Sequence, residues 1–278
     1  MTERTMRSAS RRAQHELSEK EDAVFGGRVS ANTLADLSGE LYSVAQLLVG
    51  QPRLRRTLGD PATSPDARAG LAEQLLSGKI GKQALELVKA AVEQRWSTPW
   101  DLTDAIEGAA DDALFAAAEK NGALDAVEDE LFRFERILDG QSEASSLLDE
   151  ASVPAERRLT LLDALVEGKV GAVTLELLHH AVTSQRKRSV TLAIDDLLEK
   201  AALRRHRSVA RVTSAVELSD EQRTRLSAVL SEIYGREISV RTALDPAVRG
   251  GLIVRVGDEV IDGSVATRLA QARSAIAG

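Results

Sequence analysis

Histidines and carboxylates are the side chains of this 278-residue sequence that could hold a metal or carry a proton, and there are 4 His and 43 Asp and Glu. Cysteine is absent, which removes disulfides, thiolate metal sites and cysteine nucleophiles. His179 and His180 are adjacent. On a helix that sets them about 100° apart, unlike the i, i+4 pair that grips one ion. No third histidine stands at ligand spacing beside them, so a surface or half-buried role is expected. His15 lies in a polar leader and His206 within Arg204-Arg205-His206-Arg207, and both read as solvated. The carboxylates Asp101, Asp104, Glu107, Asp111 and Asp112, like Glu128, Asp129 and Glu130, read as the solvated faces of helices. There is no Gly-x-Ser-x-Gly elbow and no phosphate loop. Gly78-Lys79-Ile80-Gly81-Lys82 lies between two helices rather than after a strand, so it reads as a helix end and turn. Gly250-Gly251 with Asp258 could cradle an anion. An apolar strand follows, however, so backbone geometry is the better reading. No catalytic residue, metal or cofactor is expected.

With chemistry set aside, composition bounds the class. The chain carries a formal charge of −7 and 3% aromatic residues. Net acidity is a poor footprint for nucleic acid. The one basic stretch, 185–188 through Arg204 to Arg211, brackets a helix whose dipole it can complement. No run approaches the roughly 18–20 apolar residues of a membrane span. The charged start (Glu3, Arg4, Arg7, Arg11, Arg12) is not followed by an apolar stretch, so no signal peptide is expected. A cytosolic protein whose membrane link runs through its partners follows.

The elements that would position any site come from a repeat. Gly78-Lys79-Ile80-Gly81 with Leu85-Glu86-Leu87 returns as Gly168-Lys169-Val170-Gly171 with Leu175-Glu176-Leu177, 90 residues later. Leu34, Leu37, Leu41, Val44 and Leu48 map in the same register onto Leu124, Val127, Leu131, Phe134 and Leu138. One-residue slips fall at Pro65 against Pro154 and at Gln94 against Gln185. A duplicated helical module is the reading. Ser64-Pro65 and Thr98-Pro99 mark helix starts, and Ser152 is expected to cap the helix equivalent to that after Ser64. Ala84, Leu85, Leu87, Val88, Ala91 and Val92 spread over an arc wider than one packed face needs, so that helix is buried on two sides or lines a groove for a partner helix.

After residue 208 the character changes. A β-branched strand over 209–216 precedes the capping box Ser219 to Gln222, and Leu226, Val229, Leu230 and Ile233 share one face of the helix it opens. Ile238, Val240, Thr242 and Leu244 alternate as in a half-buried strand. Two more strands follow around a Gly257-Asp258 turn, and Ser264 is expected to cap a last helix carrying Val265, Leu269 and Ile276. The fold class is mainly α: two tandem helical-bundle modules and a small α/β C-terminal domain. The expected divisions are a charged leader or helix at 1–28, the first copy at 29–110, the second at 111–207, and the α/β domain at 208–278.

The segment from Val212-Thr213-Ser214-Ala215-Val216-Glu217-Leu218-Ser219 and the run from Gly250-Gly251-Leu252-Ile253-Val254 through Asp262-Gly263-Ser264 resemble the delta subunit (oligomycin-sensitivity-conferring protein) family of F-type ATP synthases. The resemblance begins near Asp111, where Ala113-Leu114-Phe115 is similar to the family's opening helix, and residues 1–110 resemble the added module of long actinobacterial members. It implies a non-catalytic stator of the peripheral stalk on the cytoplasmic face of the plasma membrane. Its partners would be the alpha and beta subunits of the F1 head and the b-type stalk helices of Fo, with no nucleic acid and no span of its own. By that resemblance a partner groove would involve Leu114, Phe115 and Ala118 on one side and Leu178 and Val182 on the other. Gly250, Gly251, Gly257, Asp258, Asp262 and Ser264 would form the structural signature of the C-terminal unit. Two other readings are a free-standing helical adaptor and an RNA-associated protein using the α/β domain.

Overall fold

The computed structural model describes residues 7–26, 29–150, 152–184, 189–207, 209–234, 238–245, 248, 250–256 and 259–263. The expected last helix, Gly257, Asp258, Ser264 and the basic residues 186–188 lie outside them. The chain divides into two compact units, 1–201 and 202–278.

The first unit begins with α1 (Ser8–Gly26), α2 (Ala31–Gly50), α3 (Pro52–Leu58), α4 (Pro65–Leu76), α5 (Lys82–Glu93) and α6 (Pro99–Lys120). It continues with α7 (Leu124–Gly140), α8 (Ser142–Asp149), α9 (Ala155–Val166), α10 (Ala172–Thr183) and α11 (Val190–Arg207), the last of which runs past the division at residue 201. The leader read at 1–28 thus supplies α1, which buries Ala13, Leu17 and Phe25 in the first core. Ser64 accepts from the Ala67 amide at 3.4 Å, with proline in the first turn. Thr98 and Asp101 close a reciprocal capping box. Ser152, by contrast, does not cap α9: Pro154 occupies the N-cap and offers no side-chain hydrogen bond. The chain extended by Pro154 enters the helix one residue later than the Ser64 start.

The repeat survives in the polar joints. Gly78 and Gly168 take φ of +75° and +67°, which lets each chain reverse after α4 and α9 without a Cβ clash. The Glu40 carboxylate accepts from the Gly81 amide at 3.0 Å, and Glu130, 90 positions on, accepts from the Gly171 amide at 3.0 Å. Each carboxylate satisfies an orphan donor at a helix start that has no capping side chain of its own. Glu130 also accepts from the Thr174 hydroxyl. Arg68 donates to the Gln94 carbonyl at 2.9 Å, and its counterpart Arg158 donates to Val182 at 2.8 Å, so each guanidinium closes the C-terminal end of the central helix. Burial lowers the Arg68 pKa, with Asp60 and Glu93 opposing. Glu130→Ala is expected to lower the urea stability of the helical unit by about 1–2 kcal/mol, the usual range for a lost cap. Glu40→Ala should match it.

Helix α6 joins the copies. Fifteen of its 22 residues are buried, so it has no solvated face. Ala105, Ile106, Ala109, Ala110, Ala113, Ala116 and Ala117 belong to the first core. Leu114, Phe115 and Ala118 belong to the second, with Leu131, Phe134, Leu162, Leu177 and Leu197. One continuous helix is therefore the sixth of the first bundle and the first of the second. The boundary read between 110 and 111 falls inside it. Asp101, Glu107 and Asp111 are buried, which corrects their reading as a solvated face. Small residues permit this, because alanine lets neighbouring helices approach α6 closely from both sides.

In the second unit, β1 (Val209–Ser214), α12 (Asp220–Tyr234), β2 (Ser239–Leu244), β3 (Leu252–Val256) and β4 (Glu259–Asp262) form a sheet of order β2-β1-β3-β4. β1 and β2 are parallel, as a crossover through α12 requires, and β1 pairs antiparallel with β3 and β3 with β4. Ser219 and Gln222 make the expected capping box. Leu230, Ala210, Val212, Ile238, Val254 and Val256 build the core. Val229 and Ile233 are exposed, so the apolar stripe of α12 is wider than the sheet covers.

Candidate functional site

Polar side chains cluster where the two copies meet, along α2, α6, α10 and α11. The Tyr42 ring stacks on the His180 ring at 3.7 Å between centroids and 6° between planes. Its hydroxyl lies 2.7 Å from Thr183 Oγ1 and donates to the His180 carbonyl at 3.2 Å. His180 is buried with its Nδ1 3.4 Å from Asp111 Oδ1, which corrects the surface or half-buried role expected of the pair. His179 is half-buried, 2.7 Å from Asp163. Lys200 donates to the Gly108 carbonyl at 2.9 Å and stands 3.3 Å from Asp112 and 3.7 Å from Asp111. Spacing alone could not place these groups together, since α2 and α10 are far apart in sequence.

The electrostatics of this joint have a clear sign. Burial raises the Tyr42 phenol pKa above its ordinary range; a hydrogen bond from Thr183 opposes this and the charges of Glu107 and Asp111 add to it. For Lys200 burial works to lower the pKa, but Asp112, Asp111 and Glu21 together raise it. Both groups hold their protons more tightly folded than unfolded. Their stabilisation is intact below the ordinary values of 10.0 and 10.5 and is lost as pH rises past them. The urea midpoint of the protein is expected to fall steeply above about pH 10. Tyr42→Phe with Lys200→Met should flatten that alkaline limb. At neutral pH Lys200→Met alone should cost about 2 kcal/mol, between the exposed and buried limits for breaking a charge pair.

The groove residues are all interior. Leu114 is 2% exposed, Phe115, Ala118 and Leu178 are 0%, and Val182 is 1%. They pack the second bundle, and Tyr42 of the first copy lies against α10 beside them. A partner at this place would touch the rim rather than these five side chains. In the second unit Gly250 and Gly251 take φ of +78° and +83° before β3, and Asp262 ends β4 opposite Ile253. Val216, Val229, Ile233, Leu244, Val260 and Ile261 leave large apolar groups exposed on this small domain. Among the described residues no group of three His, Asp or Glu could hold a metal ion, and no helix is long and apolar enough to cross a membrane.

Sequence comparison places these features. Residues 111–276 match the family model for the ATP synthase delta (OSCP) subunit. The chain is 45% identical over 273 residues to ATP synthase subunit delta of Streptomyces griseus, covering 98% of this chain and 100% of that one. It is 44% identical to ATP synthase subunit delta of Salinispora arenicola, covering 98% and 99%. It is also 45% identical to ATP synthase subunit b-delta of a Mycobacterium strain, over 97% of this chain, and there it spans 60% of the relative's length. The chain belongs to the ATP synthase delta (OSCP) subunit family.

Proposed function

We propose that this chain is a non-catalytic stator: a peripheral-stalk connector that holds the α3β3 head of F1 while the central rotor turns. The observation that carries this reading is the pairing of a helical unit whose two bundles share one buried helix with a small domain that leaves apolar side chains exposed. The helical unit, two bundles built on the shared helix α6, can bear load because its joint is buried and polar rather than a loose linker. The head contacts, through the alpha and beta subunits, belong to this unit. The C-terminal domain takes the b-type stalk helices against apolar groups such as Val229 and Ile233. Such a helix-on-helix contact gains its free energy from buried apolar area and needs no acid, base or metal. The chain then sits peripherally on the cytoplasmic face of the plasma membrane, attached through its partners.

Binding of b-type helices tests the division of labour. Ile233→Asp on the exposed α12 face is expected to weaken their binding about tenfold or more, while leaving binding to the α3β3 head unchanged. Equal loss of both contacts, or of neither, would contradict it. The measurement is fluorescence anisotropy of a labelled full-length chain against each purified partner.

A further inference from the structure

The 90-residue register points to a surface that the joint between the copies leaves open. In the first copy, Tyr42 on α2 and the Gly108 carbonyl on α6 are covered by the second copy, by the flat His180 ring and the Lys200 ammonium. The residue equivalent to Tyr42 is Phe132 on α7, which is 49% exposed. The residue equivalent to Gly108, after the one-residue slip, is Glu199 on α11, also exposed. The ring therefore has an exposed counterpart, while Asp111 and Asp112, which hold Lys200, map onto Ala202 and Leu203, so the negative charge of this second face comes instead from the Glu199 side chain and its neighbours. Among the described residues nothing in the chain covers Phe132 as His180 covers Tyr42.

The surroundings fit the same kind of occupant. Phe132, Glu135 and Asp139 lie at helical spacing along α7, and Leu192, Asp195 and Glu199 along α11. Burial and the neighbouring carboxylates Asp195 and Asp139 raise the Glu135 pKa. Among the described residues no lysine or arginine makes an ion pair with any of these four carboxylates. A second copy of this chain is a poor occupant. The equivalents of His180 and Lys200 in the first copy are Ala90 and Ala109, both buried, so no ring and no cation is on offer there.

We propose that the α7/α11 face around Phe132 and Glu199 docks one amphipathic helix of a partner protein, through an apolar stripe flanked by lysine or arginine. On its aromatic side this would place on Phe132, between proteins, the kind of cover that His180 gives Tyr42 within this chain. The helix lays its apolar side on Phe132 and Leu192, and its cations neutralise Glu135, Asp195 and Glu199. This inference rests on the stator reading only in taking its partner from the same complex.

Two measurements test it, one independent of that reading. A synthetic amphipathic helix of leucine and lysine, about 18 residues long, is titrated into the labelled full chain beside a leucine–glutamate helix of the same pattern. The lysine helix should bind, the glutamate helix should not, and Phe132→Asp and Glu199→Lys should each weaken binding about tenfold or more with circular dichroism unchanged. Equal binding to the variants, or no preference for lysine, overturns the proposal whatever the protein's role. In the purified complex, p-benzoylphenylalanine in place of Phe132 should crosslink to a lysine- or arginine-flanked helix of another subunit. A crosslink to lipid, to this chain itself, or none in an assembled complex overturns it. A chain that never joins an ATP synthase overturns the stator reading instead, and the peptide titration then decides the proposal alone.

Discussion

Replacing Ala110 with proline is expected to unfold both helical modules together. Ala110 is fully buried in the middle of α6, among the first module's core. Proline there removes a helical hydrogen bond and drives its ring into the preceding turn, a loss of about 3 kcal/mol or more before any packing is counted. The break also tilts Leu114, Phe115 and Ala118, which anchor the second core four to eight residues on. Hydrogen exchange should therefore report lost protection in α5 and α10 alike, while the strands of the C-terminal sheet keep theirs. If α7 to α10 stayed protected while α2 to α5 exchanged freely, the two copies would be separate domains divided near residue 110, and the shared helix would have no mechanical meaning.

Leu178→Asp is the second large effect. Leu178 is 0% exposed in the second core, so an aspartate there buries a carboxylate with no cation in that core cluster. The lost apolar contact and the desolvated charge together cost several kcal/mol, on the order of 5. Thermal melting should show the helical unit collapsing, with every partner contact of that unit lost as a consequence. Were Leu178 a surface contact in a partner groove, the variant would instead melt like the parent and lose one partner only. Near-ultraviolet circular dichroism and melting of the purified chain separate these outcomes.

Much of this architecture is legible in the sequence, for physical reasons that also explain what is not. Gly78 and Gly168 mark the same turn because each needs positive φ at the same point of the module. Leu34 through Leu48, and Leu124 through Leu138, show their period because each helix buries one face. The Ser219 capping box and the alternating strands are local chemistry, and local chemistry reads well. Helix α6 is different. Its alanines have too little apolar contrast to show two buried faces, and Asp101, Glu107 and Asp111 look like a wet side. What keeps Asp101 and Asp111 inside is Ser10, whose hydroxyl lies 2.6 Å from Asp101, and His180 and Lys200 against Asp111. Those partners stand tens of residues away, beyond any helical period. His180 was hidden for the same reason, since its environment is made by Tyr42 from the other copy. The register itself held an unused signal. Glu40 with Glu130 and Arg68 with Arg158 fall at the same offset as the glycines, and each pair closes the same helix end in its module. Family resemblance makes Leu114, Phe115, Ala118, Leu178 and Val182 groove lining, whereas all five are interior. They share the apolar character of a groove floor and of a core, and only packing distinguishes the two.

Coupling between ATP hydrolysis and proton pumping tests the central claim most directly. Inverted membrane vesicles stripped of this chain should still hydrolyse ATP but fail to acidify, because the α3β3 head turns with the rotor instead of against a fixed stalk. Adding back the full chain should restore acidification, and the Ala110→Pro chain should not. Vesicles that acidify normally without the chain, or that remain uncoupled after the intact chain is returned, would contradict the stator account.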